Sequence, residues 1–396
     1  MTAYIKLGAA AFAVAFCLSG MAVAAPDSQS GFTYSAVYTA DVQGFARGGP
    51  RAGRYLDNLD LTADLDLEKA IGWRSGAAHA YVLNNSGGAP NDLAQTLQGV
   101  NNIEVARPRL RLFELWLQQG FAGDRGSVRT GLYNLNSEFY SNEAAGALIA
   151  PAFGIGSELA ATGPNGPSIF PSTGLGVRVN LNLAHGAYVR AAVLNAKSGV
   201  VGDPGGVDLS FGDGVLSIGE IGVERAAQFS AGAWRYSRKQ DDIRDLAVAG
   251  DPVGQIAQGA YVLVQRSFME NEAGQRVVAF LRAGASDGDT TPFQGGWQAG
   301  VRVDRPFAGR PDSILSVGLQ QGILGDKFRA NMGDLNAHPA RAESGLEVTY
   351  IDRLGPRLVV QPDFQWIHHA GGDAEAQDRW LVGLRVKVDL VAGGDK

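Results

Sequence analysis

Cysteine is all but missing, since the 396-residue chain has one, Cys17, inside an apolar N-terminal run. Beyond that run no thiol is left to form a disulfide, ligate zinc or attack a substrate. Phe16 stands before Cys17 where a lipid-attachment site would carry a small residue, so acylation is not expected. Long apolar runs are lacking too. After residue 25 nothing approaches the roughly 20 residues a membrane helix needs, so a membrane form of this chain has to be a β-barrel. Charge is scarce at 19% of residues, and the net charge of -6 comes without any basic cluster. That excludes a general nucleic-acid or phosphate binder. Neither a phosphate loop nor a dinucleotide fingerprint occurs, and no cofactor is expected.

What is present begins with a targeting segment. Lys6 supplies a basic start, residues 7–18 are almost wholly apolar, and Ala22-Val-Ala ends in small residues, the pattern of a signal peptide over 1–25. Residues 26–396 then form one domain. Glycine reaches 54 of 396 positions, well above the average of about 7%. Tight turns and crowded wall positions account for it better than low complexity does.

The dominant pattern has period two, which sends alternate side chains to opposite faces of a strand. Leu59, Leu61, Ala63 and Leu65 interleave with Asp60, Thr62, Asp64 and Asp66, and Val382, Leu384, Val386 and Val388 with Gly383, Arg385, Lys387 and Asp389. The pattern predicts sixteen strands, near 31–42, 57–66, 76–84, 109–121, 125–134, 174–184, 186–195, 214–224, 227–237, 258–268, 276–285, 295–305, 313–322, 343–352, 356–367 and 379–390. Parity changes midway in 214–224 and 227–237, so their faces are not assigned. The connections run 14, 9, 24, 3, 39, 1, 18, 2, 20, 7, 9, 7, 20, 3 and 11 residues. Long and short alternate, as in a transmembrane antiparallel barrel with long extracellular loops and short periplasmic turns. A soluble sandwich would share the alternation along its strands but has no reason to sort its loops. Trp116, Trp297, Trp366, Trp380, Tyr34, Tyr38 and Phe113 fall within strands, and some of them are expected in the interfacial girdles.

From Tyr55 onward the chain resembles the carbohydrate-selective porins of the OprB family. The matching words are YLDNLDLTADLDLEKAIGW at 55–73, LQGVNNIE at 97–104, RLRLFELWLQQ at 109–119, NSEF at 136–139 and AFGIG at 152–156. DGDTTPF at 287–293, GRPDSILSVGL at 309–319 and QPDFQWIHHAGG at 361–372 continue the order. The chain departs from the pattern at His368, His369 and Ala370, and it ends in VAGGDK rather than on an aromatic residue. The resemblance implies a sixteen-stranded outer-membrane barrel through which small, glucose-like sugars diffuse passively. Its partners would be permeating sugars, outer-membrane lipid and lipopolysaccharide, with one copy or three in the assembly. A general or ion-selective porin is the alternative on the same barrel, and a barrel enzyme or adhesin is the third reading.

A barrel of this size must be narrowed to discriminate between solutes. The segment 135–173 is long, and Ala150-Pro-Ala-Phe-Gly-Ile-Gly within it is too apolar for a solvated tip, so it is expected to fold inward. The segment 85–108 is the second candidate, with a short helix expected over 92–104. Strand parity turns Asp60, Asp64, Glu114, Trp116, Arg129, Arg178, Gln298, Arg302, Gln361, Asp363, Gln365 and Arg385 toward the lumen. Carboxylates and amides accept hydroxyl protons, arginine donates through a planar fork, and an indole offers a flat apolar face to a sugar ring. The expected constriction is Glu114, Trp116 and Arg129, on the two strands before the long loop, with Glu138 at its start. Asp64, Arg178, Arg302 and Arg385 are further candidates.

Motifs that suggest chemistry are weak. GASDG at 284–288 fits a nucleophile pattern, but Asp289-Thr-Thr-Pro-Phe follows where the motif needs a helix. His368 and His369 are expected to point in opposite directions along a strand and to be unable to share a metal. Asp287-Gly-Asp289 reads as a turn rather than a calcium loop. No catalytic residue is assigned, and no metal ligand.

Overall fold

The fold comes from a computed structural model that describes residues 31–123, 125–200, 203, 206–225, 227–271 and 274–391. The segment read as a signal lies outside the described residues. Alternating residues build β1 (Phe32–Arg47), β2 (Gly53–Asp66), β3 (Gly76–Gly87), β4 (Leu110–Phe121), β5 (Gly126–Tyr133), β6 (Gly174–Asn182), β7 (Ala187–Asn195), β8 (Val215–Glu224) and β9 (Ala227–Tyr236). After a separate hairpin of β10 (Gln240–Leu246) and β11 (Pro252–Gln255), β12 (Gln258–Glu270), β13 (Arg276–Ser286), β14 (Phe293–Asp304), β15 (Ile314–Leu324), β16 (Ala342–Arg353), β17 (Leu358–His368) and β18 (Arg379–Asp389) complete the wall. All neighbours are antiparallel, and β1 closes the sheet on β18, with Val42 opposite Leu384. Closure leaves no free edge, which a membrane requires of a sheet.

The two faces differ as the alternation predicts. Leu115, Leu117, Val177, Val179, Val262, Val264, Leu281, Leu319, Val382 and Leu384 are exposed on the outside. A continuous apolar band of this kind has no place in water and is the surface a barrel offers to lipid. The one outward carboxylate on β2, Asp57, is nearly covered and accepts from Tyr55, whose hydroxyl also meets that of Tyr38 at 2.6 Å. Trp366 and Trp380 lie 6.4 Å apart beside the 369–378 connection, while Phe32, Phe121, Phe268 and Phe307 are exposed next to the opposite, short turns. These are aromatic belts at the two ends of the wall.

Several expectations change. Trp116 and Phe113 are not girdle residues. Register shifts where Tyr81 pairs with Glu114 and Val82 with Leu112, a bulge that turns both Phe113 and Glu114 inward. Leu110 and Leu112 before the bulge, and Leu115 and Leu117 after it, therefore all point outward. In β8 and β9 the inner face is apolar as well, with Ile218, Trp234 and Tyr236 buried inside, which is why their parity was unreadable. The first outer connection shrinks to 48–52 because β1 and β2 pair as far as Gly44 opposite Gly53. Regular alternation of loop length fails there and at 287–292. In place of a helix over 92–104 only Asn91–Ala94 is helical, because the chain beyond it is drawn onto the wall. His369 has a φ of +56° that breaks the strand alternation, so its ring lies 3.7 Å from that of His368 rather than opposite it. His368 instead holds Asp378 at 2.7 Å.

Candidate functional site

The connection 134–173 enters the barrel, and the inward side chains of distant strands hold it there. Glu220 of β8 accepts from the backbone N–H of Tyr140 at 3.0 Å and from the hydroxyls of Tyr188 and Tyr261. Gln265 of β12 accepts from Ala144 N. Arg282 of β13 is fully buried and donates to the carbonyls of Tyr140, Ala152 and Gly154. Glu347 of β16 accepts from Ile149 N at 2.5 Å and Ala150 N at 2.8 Å, and Gln361 of β17 donates to Ala147 O. The loop thus runs along the wall from β5 to β17, and its apolar residues Leu148 and Phe153 pack where a side chain on Gly318 would stand. Buried backbone groups need such partners.

The connection 88–109 is drawn in beside it. Glu343 accepts from the N–H groups of Leu97 and Gln98 and from Gly371 N. Gln365 donates to Val100 O at 2.9 Å, and Asn101 donates to Asp41. Arg385 pairs with Asp41 at 2.7 Å and reaches Asn102. Asn102 N donates to Ile149 O at 2.9 Å, which joins the two infolded segments.

Together they cover the inner wall from β7 round to β1, where Glu220, Arg282, Gln298, Ser316, Glu343, Glu347, Gln361, Asp363 and Gln365 are all buried. The inner faces of β2 to β6 stay accessible through Asp60, Thr62, Asp64, His79, Tyr81, Trp116, Gln118, Arg129 and Asn180. Six of the eight expected site residues gather on or beside this strip. The Arg129 guanidinium lies 3.8 Å over the Trp116 ring, and Trp116 Nε1 donates to Glu114 at 3.2 Å. Glu114 also accepts from Asn134 N at the start of the loop. Arg178 donates to Glu138 at 2.8 Å, Arg129 stands 3.7 Å from it, and both arginines share Gln118 Oε1. Asp64 pairs with His79. The other two stand apart: Arg302 binds Asp304, two residues along its own strand β14, and Arg385 anchors the second segment.

Trp116 does not offer a free face. His79 stacks on it at 5.0 Å from β3 while Arg129 approaches from β5, so the indole presents its edge to the lumen. Gly131 makes room for this row, since its φ is +135° and a Cβ there would stand 2.7 Å from the Trp116 Cα. Burial pushes the Glu138 carboxyl up, but Arg129 and Arg178 outweigh it and hold the group below the usual range. Burial raises Glu104 to about 7, against a hydrogen bond from Asn91 N and with help from Asp92. Glu104 lines a cavity of ≈ 330 Å³ between the two segments, with Asn101, Asn102, Asn134, Asn136 and Phe170. A second cavity of ≈ 470 Å³, with Arg107, Arg111, Asn165, Phe170 and Ser198, opens beside it. The sequence reading missed His79, Tyr81 and the wall anchors Glu220, Arg282, Glu343 and Glu347. The strand pattern assigns several of these to the inner face, but nothing local marks which of them meet a loop.

A closed sixteen-stranded barrel with an apolar exterior and a lumen narrowed by infolded loops is an outer-membrane porin. A family model described as "Carbohydrate-selective porin, OprB family" matches residues 50–390, and the chain belongs to that family. It is 21% identical to Porin B of Pseudomonas aeruginosa, over 91% of this chain and 87% of that protein. It is 20% identical to the putative porin QuiX of Acinetobacter baylyi, over 91% and 90%. The high-pH structure of Pseudomonas putida OprB superposes with a TM-score of 0.82 at 20% identity, covering 91% of this chain and 94% of that one. The channel DcaP of Acinetobacter baumannii superposes with a TM-score of 0.58 at 13% identity, covering 93% and 100%.

Proposed function

We propose that the channel passes small neutral sugars of the glucose class down their gradient, along the strip that β2 to β6 leave open. The observation that carries this reading is the composition of that strip. Asp60, Asp64, Gln118, Arg129 and Asn180 supply acceptors and donors for hydroxyls, and the edges of Tyr81, His79 and Trp116 lie among them. Glu114, Trp116, Arg129 and Glu138 form the constriction in this reading, with Asp64 and Arg178 beside it. Arg302 and Arg385 serve outside it, at an ion pair and at a loop anchor. Contacts to a sugar stay weak because each group already has a protein partner, which suits passage rather than retention.

The protein performs no chemistry on its solute in this account. Ser286, the serine of GASDG, donates to Phe293 O at 2.6 Å and closes a hairpin, while Asp287 caps the turn at Asp289 and Thr290. Residues 1–25 act as a cleaved export signal, and each barrel is a complete pore, so one copy or three would conduct alike. Liposome swelling tests the reading: D-glucose should enter faster than an amino acid of similar size. Equal rates would leave the general-porin alternative, which the mixed charges Asp60, Asp64 and Arg129 would serve.

A further inference from the structure

We propose that His79 is a specificity-determining residue that touches the sugar, held by Asp64 and presenting its Nε2 to the lumen. This inference rests on the sugar-channel reading and deepens it. His79 stands inward on β3, directly opposite Asp64 on β2 and Trp116 on β4. Its Nδ1 lies 2.7 Å from Asp64 Oδ1, and its ring stacks on Trp116 with 18° between the planes. The side chains are 14% and 55% accessible, so the pair borders the open channel rather than the wall interior.

A carboxylate beside Nδ1 places the proton there, which leaves Nε2 of the neutral ring as an acceptor. The second Asp64 oxygen accepts as well. Two acceptors on neighbouring strands therefore stand side by side at the lumen, next to the Trp116 edge and one strand further from the Arg129 donor. That arrangement fits a solute with adjacent hydroxyls on one ring, the pattern of a pyranose. The stack on Trp116 fixes the imidazole plane, so the acceptor direction is set before the solute arrives.

The test is single-channel recording in KCl with added D-glucose, reading the current block, for the unaltered protein, His79→Phe and His79→Gln. Phenylalanine keeps a ring against Trp116 but has no acceptor, whereas the glutamine oxygen restores one. His79→Phe should weaken glucose block about 3- to 10-fold, the range of one lost hydrogen bond, at nearly unchanged KCl conductance. His79→Gln should recover most of the block. Equal block in the unaltered protein and His79→Phe overturns the assignment while the sugar reading stands. Loss of KCl conductance together with block in both variants also overturns it, since His79 would then only support the wall. An unaltered channel that conducts KCl without any glucose block sinks both readings.

Discussion

Replacing Glu347 by alanine should loosen the constriction without touching the sugar-contacting strip. The carboxylate is almost fully buried and accepts from Ile149 N at 2.5 Å and Ala150 N at 2.8 Å. Alanine leaves two buried N–H groups without acceptors, at about 1–3 kcal/mol each, so the inward loop loses about 2–6 kcal/mol. Every 1.4 kcal/mol is tenfold, and the lower bound already moves the held-to-released ratio by more than an order of magnitude. Arg282 and Gln361 still hold the loop through Ala152 O and Ala147 O, so the barrel remains folded and only the 148–151 stretch between those anchors swings. Single-channel recording should give noisier open currents and higher mean conductance. Disaccharide flux should rise relative to glucose. Glu347→Gln, which keeps one acceptor, should fall between. Unchanged noise, conductance and size cut-off would refute the view that wall carboxylates set the aperture.

Other consequences follow from the same geometry. Arg129→Ala removes a cation beside Glu114 and Glu138, and should raise cation over anion permeability about 2- to 5-fold in reversal-potential measurements, the effect of one partly screened charge. The Glu104 carboxyl has its folded value raised from 4.5 to about 7, so its contribution to holding the 88–109 connection is complete below 4.5 and is lost as pH rises through 7. With exchange rates corrected for the intrinsic rise with pH, protection of that connection should be lower at pH 8.5 than at pH 5.5, and Glu104→Gln should remove this loss of protection. Val264→Arg on the exposed apolar band should cost about 2–4 kcal/mol in bilayer folding titrations, the penalty for a cation near the membrane midplane. Lys327 joins Asp242, Asp245 and Asp289 from two other loops, so Lys327→Met should expose the β10–β11 hairpin to protease while leaving the barrel intact.

Strand order and number were legible because period-two alternation is a local signal that survives in one sequence. Loop 134–173 was legible for the same reason, since the apolar stretch at 150–156 has no place in water. The bulge at Phe113 and Glu114 was visible only as two leucine pairs out of step, and β8 and β9 hid their parity because the loop packs apolar groups against their inner face. What local patterns cannot carry is pairing across the lumen. Glu347 meets Ile149 from 198 positions away, and Glu343 meets Leu97 from 246. The Trp116 face was expected to be free, but the flanking strands deliver His79 and Arg129 onto it, which strand-to-strand register decides.

The proposed solute path runs along β2 to β6, with the opposite wall sealed by the loops. The chain after residue 25 has no cysteine, so single thiols can be placed at will. Gln118→Cys lies on the open strip, and Ser316→Cys on β15 lies under the loop, fully buried. A bulky water-soluble thiol reagent should label Gln118→Cys rapidly and abolish glucose flux, and should leave Ser316→Cys unlabelled with full flux. Rapid labelling and block at Ser316→Cys, with unimpeded flux through labelled Gln118→Cys, would contradict it.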